Sequence, residues 1–247
     1  MCVAMLASAA LAVNVGGALG RGAVGFVAAN VGLRALLVGL YAWAWRNATE
    51  ARPMSARYGT GFAIGAVIWS VSLLTPEPVR YGLWALALLI EMGTPVLGSS
   101  TVLSVSGHAS HMPECFGLFT LIVFGESTIV ITAAVVDTSW RLGSVLVAVF
   151  GFALAACMWW LYFDHVDEEA TAQSFTGGAT GVVRSHVWGY GHLAVWAGIA
   201  AASVGVEFAI LDASEPALSL GPRAALCGGI ACTCSPPAPS SAPPHVR

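Results

Sequence analysis

The stretch Glu114-Cys-Phe-Gly-Leu-Phe-Thr-Leu-Ile-Val-Phe-Gly-Glu126-Ser127 sets a carboxylate about midway along an apolar run that continues to Val136. A run of roughly twenty residues crosses the hydrocarbon core of a bilayer, so Glu126 is expected near the midplane, where an ionised carboxylate costs at least ~2.5 kcal/mol. Such a group needs a partner, a proton or a task.

Apolar runs of this kind fill the chain. Of 247 residues 57% are hydrophobic and 9% charged, with a mean hydropathy of +0.78. A soluble domain carries about 25% charged residues, so water is not the main solvent here. Seven runs separate at charged, Pro-rich or Gly-rich breaks: Cys2 to Leu19, Gly22 to Trp45, Tyr58 to Leu74, Gly82 to Leu103, Phe116 to Val136, Leu142 to Phe163 and Val187 to Phe208. Backbone groups in lipid must bond internally, and long uninterrupted runs do this as helices. The expected fold is an all-α, polytopic transmembrane bundle of about seven spanning helices over residues 1–212. The eighth run, Ala217 to Cys232, is broken by Pro222 and Arg223 and is not expected to span. From residue 213 to 247 the composition turns to Pro, Ser, Ala and Cys, which predicts a disordered tail.

Loop arginines orient the bundle. Arg46, Arg52, Arg57 and Arg184 outnumber Arg21, Arg80 and Arg141 on the other side, which places the 46–57, 104–115 and 164–186 loops in the cytoplasm. Trp43, Trp45, Trp159, Trp160, Tyr162 and Trp188 then fall near cytoplasmic ends, where an interfacial aromatic belt is expected. A net charge of -3 and dispersed arginines exclude a strong nucleic-acid footprint. The six cysteines suggest neither a disulfide framework nor a metal knuckle. Met1 to Leu19 has no basic n-region and reads as a helix, not a signal peptide.

Three motifs, His111-Met-Pro-Glu114-Cys-Phe-Gly-Leu-Phe-Thr-Leu-Ile-Val-Phe-Gly-Glu126-Ser127, Trp159-Trp-Leu-Tyr-Phe-Asp164 and Gly189-Tyr-Gly-His192, resemble those of the bacterial low-temperature-requirement A (LtrA) family. The resemblance covers roughly residues 25 to 212. It implies a multi-pass protein of the bacterial cytoplasmic membrane linked to growth at low temperature. The family pattern has an arginine after the glutamate matching Glu114, where this chain has Cys115. It also has an acidic, Phe-rich opening motif not found here, so the chain reads as lacking the family's N-terminal part.

Few ionisable residues lie at membrane depth. Arg34 is the basic residue well inside an apolar run, and Glu91 and Glu126 stand near the centres of theirs. Glu91 and Glu126 each lie about 19 Å along a helix from the loop around His108, so antiparallel neighbours would hold them level. Arg34, Glu91 and Glu126 are therefore expected to form a midplane cluster. One arginine against two carboxylates leaves a negative charge that a proton or small cation could balance. Pro95, with Gly93, is expected to bend the helix one turn past Glu91 and free carbonyls beside it.

A second polar group, His108, His111, Glu114, Asp164 and His192, is expected at the cytoplasmic face. His108, His111, Glu114 and Cys115 resemble zinc ligands by type, but their spacing is not one helical face, and no metal or cofactor is expected. Asp164 and His192 are positions that match the family. No soluble-enzyme fingerprint is present, and the chain is not expected to be an enzyme. Two functions fit. One is a proton- or cation-linked permease using the midplane carboxylates, with membrane lipid around it and a small solute or proton as ligand. The other is a structural or stress-adaptation membrane protein whose charges tie helices together.

Overall fold

The computed structural model describes residues 2–97, 111–165, 178–215 and 217–234, with the backbone alone given for His111, Met112 and His165. Among them every regular element is helical: α1 (Cys2–Val15), α2 (Ala23–Asn47), a 3-10 turn (Thr49–Ala51), α3 (Arg52–Ser72), α4 (Glu77–Leu97), α5 (His111–Asp137), α6 (Leu142–His165), α7 (Gly178–Leu211) and α8 (Leu220–Cys234). They form two compact units, Met1–Ser106 and Gly107–Arg247.

Among the described residues four stretches are long and apolar enough to cross a membrane: Ala23–Asn47, Pro113–Asp137, Leu142–Asp164 and Gly178–Leu211. The other three expected spans fall short of that standard for identifiable reasons. Helix α1 has 14 residues, about 21 Å at 1.5 Å per residue, against a core of about 30 Å. Helices α3 and α4 have 21 residues each, but Arg52, Ser55 and Arg57 dilute the first, and Glu77, Arg80 and Glu91 the second, whose expected run to Leu103 lies outside the described residues from position 98 on. Many large apolar side chains face outward, with Ile122 67%, Phe150 73% and Trp160 67% exposed. Patches of this kind belong against lipid or protein.

In the first unit, the α3–α4 contacts run Gly61 to Thr94, Gly65 to Glu91 and Ser72 to Trp84. Numbers rise on one helix as they fall on the other, so the pair is antiparallel. Glycines at 61 and 65 let the polar side chains of α4 reach the α3 backbone. An aromatic core closes one end, where the Trp69 and Trp84 rings meet at a tilt with centroids 5.2 Å apart and Phe26 meets both. The Trp84 indole N–H donates to the Ser72 hydroxyl at 2.8 Å.

In the second unit, α5 and α7 are parallel. The Trp196 indole N–H donates to Thr120 Oγ1 at 2.9 Å, and the Ser127 and Ser203 hydroxyls lie 2.6 Å apart; both pairs are offset by 76 residues. A constant offset means that the two helices advance together, while α6 returns between them. Phe124, Met158, Tyr162, Val195 and Ile199 form one core layer, and Ile131, Ala134, Val206 and Ile210 another.

The described part of the expected disordered tail contains a helix. Helix α8 lies antiparallel on α7, with Gly198 facing Gly229 and Gly205 facing Leu226. Pro222 falls in its first turn, where no intrahelical N–H is required, so the proline that argued against a span does not prevent a helix. Helix α7 also begins at Gly178, nine residues before the apolar run that announced it, and residues 178–186 of the expected loop are helical. Tyr162 and Trp188 are buried at 7% each and belong to the core, not to an interfacial belt, whereas Trp43, Trp45, Trp159 and Trp160 face outward.

Candidate functional sites

Arg34 and Glu91 meet inside the first unit. Arg34 Nε donates to Glu91 Oε1 at 2.5 Å and Nη2 donates to Oε2 at 2.6 Å, a fork-to-fork geometry. The side chains are 11% and 8% exposed. Guanidinium and carboxylate planes match in this arrangement, and each group satisfies the other's charge. Arg34 Nη1 also donates to the Asn30 carbonyl at 3.4 Å, and its Cζ lies 5.5 Å from the Trp69 ring centre, a cation–π distance. Glycine at 65 makes the seat, because a Cβ there would collide with the Glu91 carboxylate.

Helix α4 remains helical through Gly93 and Pro95 to Leu97. Pro95 has no N–H, so the carbonyl four residues earlier, that of Glu91 itself, loses its helical donor. The Thr94 hydroxyl bonds back to Ile90, and Arg57 Nε donates to the Thr94 carbonyl at 3.4 Å.

Of the expected midplane trio the structure thus joins Arg34 to Glu91. Glu126 stands in the second unit, exposed on α5. Its neighbour Ser127 faces inward, to Ser203.

Among the second group, His108 lies outside the described residues, and His111 is described as the first residue of α5 without its side chain. Helix α5 begins two residues before Pro113, so His111 is in the first turn and not ahead of it. Glu114 in that turn and Asp164 near the end of α6 are exposed. His192 is fully buried and doubly bonded: Nδ1 is 2.8 Å from the Trp188 carbonyl, and Nε2 is 2.9 Å from the Tyr162 hydroxyl. A carbonyl can only accept, so Nδ1 carries a proton; Nε2 accepts the Tyr162 O–H when the ring is neutral and donates to the Tyr162 oxygen when it is charged. Phe116, Trp188 and Trp196 pack around the imidazole at 5.1, 4.1 and 5.7 Å. Phe116 and Tyr162 bracket His192, which puts Glu114, Asp164 and His192 at one end of the second unit.

Sequence reasoning passed over Tyr162 as a partner, although the residue sits inside a quoted motif. Asn30 was passed over as well. Its signal was an amide one helical turn before Arg34 in an otherwise apolar run.

A family model described as "Bacterial low temperature requirement A protein (LtrA)" matches residues 1–235. The uncharacterized protein RA0937 of Rhizobium meliloti (strain 1021) is 25% identical over 154 residues, 60% of this chain and 38% of the relative. The chain therefore spans well under half of that relative's length. No solved structure matches.

Proposed function

Because the chain belongs to the bacterial low temperature requirement A (LtrA) family, we propose that it is a multi-pass protein of the bacterial cytoplasmic membrane, needed for growth in the cold, whose buried charges tie helices together and which is not an enzyme. Family membership and four apolar, span-length helices indicate an integral membrane protein. The observation that carries the finer reading is the two-pronged, charge-balanced Arg34–Glu91 pair, in which each carboxylate oxygen accepts from the guanidinium. Such a pair lets α2 and α4 keep charged groups at depth, and in this reading α3 and α4 cross the membrane alongside the four longer helices. The described part of α8, packed on α7, lies outside that count.

A second reading, a proton- or cation-linked permease, draws on two features. Glu126 is an exposed acid within a span-length apolar helix, and Pro95 frees the Glu91 carbonyl beside a charged side chain. The two readings part on one experiment. The chain carrying Arg34→Met, Glu91→Gln and Glu126→Gln together is expressed in a bacterial host that has lost its own copy and fails to grow in the cold. A structural tie predicts a folded protein that restores growth. A folded, membrane-inserted triple variant that does not restore growth sinks the tie and favours transport.

A further inference from the structure

We propose that the first unit holds a structural water beside the Arg34–Glu91 pair, seated between Asn30 of α2 and Trp69 of α3. Two side-chain atoms carry this inference: Asn30 Oδ1, an acceptor, and Trp69 Nε1, a donor, are both buried without a hydrogen-bonding partner among the described residues. Their residues are 5% and 2% exposed. They stand at one height. Phe26 and Arg34 both contact the Trp69 ring, the first with centroids 5.9 Å apart and the second with Cζ at 5.5 Å. Asn30 lies midway between these two residues on the same face of α2, at spacings of four, so its amide is carried toward Trp69.

The chemistry of the seat selects its occupant. A guest must accept from an indole N–H and donate to an amide oxygen, and water does both with one oxygen. Arg34 Nη1, whose contact to the Asn30 carbonyl is long at 3.4 Å, is a third group within reach of that corner. Three polar partners are what a buried water ordinarily has. The surroundings are otherwise apolar, since Val27 and Trp84 belong with Trp69 to one buried cluster. The site does not depend on whether the neighbouring ion pair serves structure or transport.

The test uses the full chain in detergent micelles with tryptophan labelled at the indole nitrogen. The Trp69 signal is assigned by its disappearance in Trp69→Phe, and water contact is read from nuclear and rotating-frame Overhauser transfer at the water frequency. The expected result is a long-lived-water cross-peak on the Trp69 indole N–H, lost in Asn30→Leu and kept in Asn30→Asp, which retains the acceptor oxygen. Absence of that cross-peak in the unmodified chain overturns the proposal, as does its persistence in Asn30→Leu. Should Asn30→Leu not fold, Asn30→Ala takes its place with the same expected loss.

Discussion

Gly65 shows how one residue's lack of a side chain decides what its neighbours can do. A methyl group added there meets the Glu91 carboxylate, the group that Arg34 holds with two hydrogen bonds. Gly65→Ala is expected to push the carboxylate out of register with the guanidinium and to lower stability by about 1–3 kcal/mol, the usual cost of overpacking. Thermal unfolding in detergent measures this, and an unchanged midpoint contradicts it. Arg34 and Glu91 were legible in the sequence because charges are rare in runs of lipid-spanning length. Asn30, Trp69 and Tyr162 were not, since a polar or aromatic residue acquires its role only when the facing helix is in register. The contact between Tyr162 and His192 depends on how α6 and α7 settle, which no local pattern within either helix states.

At the scale of the helix, apolar runs located the elements well where both ends are marked. The run Gly22 to Trp45 became Ala23–Asn47, and Leu142 to Phe163 became Leu142–His165. The pattern failed where a helix continues beyond the apolar zone, as α7 does, because a helix satisfies its own backbone in water as well as in lipid. At α8 the run Ala217 to Cys232 marked the segment, but a composition poor in large apolar residues hid that it is helical. That helix is held by close approach, not by bulk: a Cβ at Gly229 would lie 2.5 Å from backbone atoms of both Ala202 and Gly198. Gly229→Val is therefore expected to separate α8 from α7, an interface built on small residues. Limited proteolysis should then cut within 220–234 at a raised rate, whereas equal rates for the two proteins would contradict this packing.

For the whole molecule, membrane residence followed from composition, and the all-helical class from the length of the runs. The division into two units did not follow, because nothing in hydropathy tells one set of packed helices from the next. The expected midplane trio illustrates the point: Arg34 and Glu91 share a unit and a hydrogen-bonded pair, while Glu126 belongs to the other unit. The account rests on the mutual dependence of Arg34 and Glu91, and global unfolding of the full chain tests it most directly through a double-mutant cycle. Arg34→Met or Glu91→Leu alone leaves an uncompensated buried charge and is expected to cost about 3–5 kcal/mol. The double variant removes both charges and should lose far less than the two single losses combined. Single losses that simply add in the double variant would contradict the account.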